Sequence, residues 1–358
     1  MKRVVISGYY GFDNTGDEAI LTGILKNLLD EARLKGEELD FTLLSQNPPS
    51  TSLRYQVKAI KRTDFKAILK ALRSSQVFIS GGGGLLQDVT GRQFSVFYYL
   101  GLVLLAWICR CRVVIYAQGM GPIKKSFNRW LTARILGLSD LITVRDLSSQ
   151  QFLKEIGLKK EAVVTADPAF LLEPPGGTVR GNNNGPSMGV SVHPRCTSKD
   201  LQVLARTLDH MVKKHRARVV LIPFYPAQDQ EPSREVLNYM QSPAEIIETE
   251  GEVKKVLELV GKMDVMVGAR LHSLIFAALT KVPFAGISYD PKVDSFLKEC
   301  RLSPGGHVDN LEENYIIEIM EHLWNNKEEI KDRLDHQVRT FKKDAAVNGK
   351  LVLELMDE

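Results

Sequence analysis

The sequence predicts an α/β protein made of two Rossmann-like domains facing a cleft. Three observations lead there. Short β-branched runs alternate with helix-length segments through the first half of the chain, the alternation breaks at EPPGGTVRGNNNGP (173–186), and then it starts again. Strands alternating with helices pair in parallel, with helices covering both faces of the sheet. The break holds too much Pro, Gly and Asn to pack a core and reads as a linker. At 358 residues, 44% hydrophobic and 25% charged, the chain is long enough for a core in each domain.

In the first domain, 1–173, strands are expected at 3–7, 40–44, 76–80, 113–117, 141–144 and 162–165, with helices between most of them, including 18–34. The segment FSVFYYLGLVLLAWIC (94–109) is nearly all apolar. A membrane-spanning helix needs about 20 such residues, and this run stops at Arg110 ahead of another strand pattern, so it reads as a buried helix between two strands. After the linker, 174–186, the second domain, 187–330, carries strands at 188–192, 218–222, 264–267 and 283–287 and helices at 199–215 and 271–279. The charged stretch from Asn314 onward ends in a C-terminal helix, 331–358, expected to pack back on the first domain.

A net charge of +4, with 47 Lys and Arg spread among 43 Asp and Glu, demands no nucleic acid partner. Anionic small molecules and an anionic membrane surface remain open. Cys109, Cys111, Cys196 and Cys300 form neither a CxxC pair nor a metal-ligand spacing with histidine, which fits a reducing compartment. MKRVVISG runs into a strand with no signal-peptide pattern, so a cytoplasmic location is expected. No metal is expected.

Candidate site residues cluster after strands, where ligands bind in doubly wound sheets. GYYGFDNTGDE (8–18) offers a glycine loop with Asp13 and Asn14 ahead of a helix, equally readable as a structural turn or a binding loop. Four consecutive glycines, 81–84, cost chain entropy unless backbone must pass close to something; close helix packing could explain one or two of them, but four point to a site, with Gly82 and Gly83 ligand-facing and Asp88 at the rim as a base or hydroxyl acceptor. QGMGP (118–122) adds a permissive loop. Arg145 ends the strand LITV beside Asp146, as an anion ligand or as half of a surface pair. The sharpest group is GARLHS (268–273): Arg270 and His272 lie where a strand turns into a helix, with Lys292 in the loop after the next strand. A helix N-terminus, an arginine fork and a titrating imidazole suit an anion and a proton transfer in one place.

GYYGFDNTGDEAIL, GGGGLLQD, QGMGP, VRD (144–146), ADPAF (166–170) and GARLHSLIFAA occur here in one order and spacing. In these motifs the chain resembles the polysaccharide pyruvyl transferase family, and more closely its cell-surface-anchoring type from bacteria with surface-layer proteins, over almost its whole length. The resemblance implies an arrangement similar to the GT-B glycosyltransferases, with the acceptor on the first domain and the donor on the second. It implies phosphoenolpyruvate as donor, no metal or other cofactor, and a pyruvate ketal as product. Carried onto this sequence, the family's essential positions match Arg145, Arg270, His272 and Lys292, and Asp88 and Leu271 match positions lining the site. The implied acceptor is a lipid-diphosphate-linked disaccharide of N-acetylmannosamine and N-acetylglucosamine, whose polymer anchors surface-layer proteins.

The residue types agree with that chemistry. Phosphoenolpyruvate carries about three negative charges, which Arg145, Arg270 and Lys292 can offset, while His272 can act as general acid. A lipid-linked acceptor places the enzyme at the inner face of the plasma membrane, where Lys124–Trp130 (KKSFNRW) offers mixed basic and aromatic residues, unless that stretch is merely a solvated helix face. Two rival readings fit the same folds: a nucleotide-sugar glycosyltransferase of the GT-B kind, and a sugar- or anion-binding protein without turnover. The oligomeric state is left open.

Overall fold

The computed structural model describes residues 1–88, 94–174 and 185–358. It divides into two compact units: Met1–Phe12 with Asp17–Leu172 and Phe341–Glu358, and Asp13–Gly16 with Glu173–Thr340. Most of the segment expected as a linker, 174–186, lies outside the described residues.

The first unit holds strands β1 (Lys2–Ser7), β2 (Leu39–Ser45), β3 (Lys58–Lys61), β4 (Val77–Gly81), β5 (Arg112–Gln118), β6 (Leu141–Val144) and β7 (Val163–Val164). Its helices are α1 (Thr15–Lys35), α2 (Pro48–Tyr55), α3 (Phe65–Arg73), α4 (Phe94–Ile108), α5 (Ser126–Leu136) and α6 (Leu147–Glu155). All strands pair in parallel in the order β3-β2-β1-β4-β5-β6-β7. The central strands are apolar on both faces because helices cover both, as in Val77–Gly81, which is buried throughout.

The second unit repeats the plan with β8 (Ser187–Ser191), β9 (Arg218–Leu221), β10 (Ala244–Ile246), β11 (Val265–Gly268), β12 (Phe284–Ser288) and β13 (Pro304–His307). Its parallel sheet runs β10-β9-β8-β11-β12-β13. Helices α7 (Ser198–His215), α8 (Pro226–Tyr239), α9 (Val253–Gly261), α10 (Leu271–Leu279), α11 (Pro291–Glu299) and α12 (Glu313–Asn325) complete it, and α13 (Lys327–Asp357) ends the chain.

In each sheet the strand order reverses once, at β1/β4 and at β8/β11. The loops leaving the carboxyl ends of two such strands diverge to opposite faces and open a crevice, the general ligand position of this architecture. Three edge strands go beyond the sequence expectation: β3 (KAIK), β10 (AEI) and β13 (PGGH) are short, and at an edge one flank is unpaired, so none needs a long apolar run.

Two further differences follow from packing. The apolar helix is not buried all round: Val96, Leu100, Val103 and Ala106 enter the core, while Phe97, Trp107 and Ile108 stand exposed. The C-terminal helix starts at Lys327 rather than 331, and the last change of unit falls at 340/341, inside it. Its final turns close the first unit's core. Val352 and Leu353 are fully buried with Val4 and Ile6, and the amide oxygen of Asn348 accepts from the hydroxyls of Thr143 at 2.5 Å and Thr165 at 3.2 Å. No helix among the described residues is long and apolar enough to cross a membrane.

Candidate active site

In the second unit the turn after β11 holds the candidate residues Arg270, Leu271 and His272. Gly268 is fixed by packing, since a Cβ there would lie 2.3 Å from Oγ of Ser273. That hydroxyl donates to the Arg270 carbonyl at 2.6 Å and locks the turn into α10. Arg270 therefore occupies the N-cap with extended backbone, and His272 stands in the first turn, where unpaired helix N–H groups favour an anion. Leu271 is buried, so it braces this turn through the core.

Arg270 is held from behind by a residue that sequence reasoning missed. Its Nε lies 3.0 and 3.2 Å from the two carboxylate oxygens of Asp229, and its Nη2 donates to the same carboxylate and to Gln228 Oε1 at 3.2 Å. Asp229 is fully buried in the first turn of α8 and also accepts the Tyr225 N–H at 2.8 Å. Burial pushes its carboxyl upward against the pull of Arg270 and of backbone N–H groups. The pair spans 41 residues of sequence, so no local pattern announces it.

His272 is placed by the segment Asp13–Gly16. Asp13 adopts φ +57° and packs against Gly251, where a Cβ would come within 2.6 Å of the Asp13 carbonyl oxygen. Asn14 Oδ1 accepts the Gly16 N–H at 3.1 Å, and the Thr15 N–H donates to the Phe224 carbonyl at 2.8 Å. The loop so tied brings Gly16 against the imidazole: a Cβ at Gly16 would lie 2.3 Å from His272 Nδ1. Asp13 and Asn14 thus shape the loop that backs His272. Gly16→Ala is expected to displace the ring and lower turnover while leaving the unfolding midpoint nearly unchanged; unaltered kcat would show that the ring position is immaterial.

Lys292 lies in the first turn of α11, not in a free loop, with its Nζ 3.6 Å from Asp290 Oδ2, while Asp290 Oδ1 accepts the Lys292 N–H at 3.2 Å. The Tyr289 ring lies 5.3 Å from Lys292 Nζ and 5.6 Å from the Arg195 guanidinium, and stacks on His193 at 4.0 Å. His193 and Arg195 follow β8, on the other side of the switch point from Arg270. Their position at a strand's carboxyl end was the signal available in the sequence.

Burial, reinforced by Arg270, Lys292 and Arg195, drives the His193 imidazole down to about 2, so it is neutral in the folded chain. Unfolded, it would protonate below ~6.5. The unfolded chain then binds the extra proton, so His193 makes stability fall as pH drops below that value, by about 1.4 kcal/mol per unit. His193→Gln should flatten the dependence, narrowing the loss between pH 7 and pH 5 by about 2 kcal/mol in urea unfolding. Equal slopes for both proteins would contradict it.

The first unit gathers the remaining predicted residues at the ends of β4, β5 and β6. The Gly119 N–H donates to the Gly83 carbonyl at 2.9 Å and the Asp88 N–H to the Pro122 carbonyl at 3.3 Å, so the two glycine loops run together. Gly82 and Gly83 take φ +55° and +73°, and a Cβ at Gly82 would fall 2.1 Å from Ile20. Left-handed backbone and contact with α1 thus account for both, and only Gly84 of the four faces open space. Arg145 is nearly buried against Gly119, its Nη1 3.0 Å from Asp167 and its Nε 3.4 Å from Asp146. This is no exposed pair, and two carboxylates already face its charge.

Asp88 accepts from the N–H groups of Lys124 at 2.7 Å and Lys125 at 3.1 Å and from the Asn128 amide at 3.0 Å. Burial raises its carboxyl, but these donors outweigh it and hold it below the usual carboxylate range. A carboxylate so held anchors the start of α5 and is a weak base. Among the described residues no group of three His, Cys, Asp or Glu side chains could hold a metal ion.

Comparison with known proteins agrees with this architecture. The fold is similar to that of the UDP-GlcNAc 2-epimerase from Neisseria meningitidis bound to UDP-GlcNAc, at 13% identity and TM-score 0.66 with both chains fully covered. It is similar to Anabaena HepE in complex with UDP-glucose, at 9% identity and TM-score 0.65, again over both whole chains. The Thermobaculum terrenum O-GlcNAc transferase matches at 13% identity and TM-score 0.55, over 99% of this chain and 66% of that one. The chain therefore has a GT-B-like α/β fold. No curated protein sequence matches it. The model of the family described as polysaccharide pyruvyl transferase matches residues 14–291, a span from the loop that backs His272 to the start of α11, and the chain belongs to that family.

Proposed function

We propose that this enzyme transfers the pyruvyl group of phosphoenolpyruvate, as a ketal, onto N-acetylmannosamine of a lipid-diphosphate-linked disaccharide, a precursor of the secondary cell wall polysaccharide that anchors surface-layer proteins. The observation that carries the reading is the turn Arg270–His272 at the N-terminus of α10, beside the Lys292 turn at the same sheet edge. Cations and helix N–H groups suit a donor with a carboxylate and a phosphate, and the imidazole suits proton transfer.

In this reaction the donor's methylene carbon takes a proton and becomes a methyl group. One sugar hydroxyl adds to the adjacent carbon, the bond from that carbon to the phosphate oxygen breaks, and the second hydroxyl adds. The two hydroxyl protons end on the methyl group and on phosphate, so no further reactant is needed. His272 is the proposed general acid, and Arg270, oriented by Asp229, and Lys292 hold the donor. Arg145 and Asp88 are proposed on the acceptor side, Asp88 as a positioning group that also fixes α5.

The lipid-linked acceptor gives a role to the exposed apolar faces of the first unit. A recess of about 500 Å³ lined by Phe65, Ile68, Phe97 and Ile108 has Arg62 at its rim, and Phe127 and Trp130 stack at 5.9 Å, more than half exposed, beside Lys124 and Lys125. Apolar and cationic groups together suit a lipid surface with anionic headgroups, placing the enzyme at the cytoplasmic face of the membrane. Sedimentation with anionic vesicles, weakened by Trp130→Ala, checks this; no binding by the parent protein would remove it.

Neighbours bound to UDP-sugars support a second reading, nucleotide-sugar transfer. Titration calorimetry separates the two. Phosphoenolpyruvate should bind and UDP should not; the reverse would establish the second reading.

A further inference from the structure

Arg270 and Arg145 already face buried carboxylates, and Lys292 faces Asp290. A trianionic donor needs positive charge not already matched. Arg195 differs from these three: among the described residues it forms no ion pair, and its guanidinium makes one long hydrogen bond, from Nη1 to the Tyr289 carbonyl at 3.5 Å. It is half-buried, and its ring contact with Tyr289 sets it beside Lys292 and His193. It also stands on the loop after β8, at the switch point opposite Arg270.

We propose that Arg195 is a further donor-anchoring residue that takes the carboxylate of phosphoenolpyruvate in its guanidinium fork, leaving the phosphate to Arg270, Lys292 and the N-terminus of α10. The inference rests on the pyruvyl-transfer reading and adds a residue to it. A planar guanidinium with spare donors matches a carboxylate bidentately, whereas an ammonium and helix N–H groups match a phosphate equally well from several directions. Burial keeps the His193 imidazole uncharged, and the three cations Arg270, Lys292 and Arg195 beside it add to that effect. Because its Nδ1 accepts the Arg195 N–H at 3.1 Å, the ring hydrogen sits on Nε2, leaving a second neutral donor beside the fork.

Arg195 also lines a recess of about 390 Å³ with Tyr289, Asp290, Asp294, His307 and Asp309. Three carboxylates there repel a free anion. The recess is therefore a poor place for the donor. The guanidinium is held in place by Tyr289 rather than by an acid that would cancel its charge.

The test compares phosphoenolpyruvate with vinyl phosphate, which lacks the carboxylate, by calorimetry on the full chain, for the parent and for Arg195→Ala and Arg195→Lys. Arg195→Ala should weaken phosphoenolpyruvate binding about 10- to 100-fold and leave vinyl phosphate unaffected, because one charge-assisted pair is lost. Arg195→Lys should recover part of the loss, which also shows that the site is folded. Equal weakening of both ligands, or of neither, would overturn the assignment. If the parent binds neither ligand, the pyruvyl-transfer reading itself fails, a result distinct from failure of Arg195 alone.

Discussion

His272→Ala is expected to lower turnover about 10²- to 10⁴-fold with no change in the unfolding midpoint. The imidazole is half-buried at the first turn of α10, and Gly16 leaves no room for the ring to retreat. A group that must give up a proton and regain it near neutral pH is best supplied by histidine. The loss should fall on kcat more than on donor KM, because Arg270, Lys292 and the helix N-terminus remain. Turnover equal to the parent's would remove His272 from the chemistry and leave the turn as an anion site alone.

Asp229→Ala should be the most destabilising single change at the site, costing about 3–5 kcal/mol in denaturant unfolding. The parent ion pair need not contribute much net stability, since burying both charges offsets their attraction. Removing one partner is different, because it takes from the Arg270 guanidinium the carboxylate that matches its charge, leaving it the neutral Gln228 Oε1, and removes the acceptor of the Tyr225 N–H. Asp229→Asn keeps the size and one acceptor, so it should fold with a smaller loss, while the arginine, no longer held on two nitrogens, should bind the donor more weakly. Chevron or equilibrium unfolding in urea and the donor KM measure the two parts. An Ala variant as stable as the parent would mean that the pair is solvated and exerts no control over Arg270.

Much of the fold was legible because its signals are local. A β-branched run followed by glycine and an apolar helix is read directly, and the central strands fall where that pattern sets them. β3, β10 and β13 were missed because an edge strand needs few apolar residues, and Lys58–Lys61 has polar ends. The same division runs through the site. GARLHS was visible because strand, glycine, cation, imidazole and helix follow one another in six residues. Asp229 was invisible because its meaning is its partner 41 residues away. In the glycine run, Gly82 and Gly83 take left-handed backbone and lie against Ile20, the close helix packing that the sequence also allows and cannot tell from closeness to a ligand. HPR after β8 could have been found by asking of the second sheet what the glycine loop had suggested for the first, namely which residues leave the strand at the switch point.

The most direct test incubates the enzyme with phosphoenolpyruvate and a synthetic lipid-diphosphate disaccharide of N-acetylmannosamine and N-acetylglucosamine, following phosphate release and the acceptor's mass. Pyruvyl transfer predicts one phosphate per acceptor and a mass gain of one pyruvate less one water. An acceptor of unchanged mass, with a nucleotide sugar consumed in its place, would contradict it.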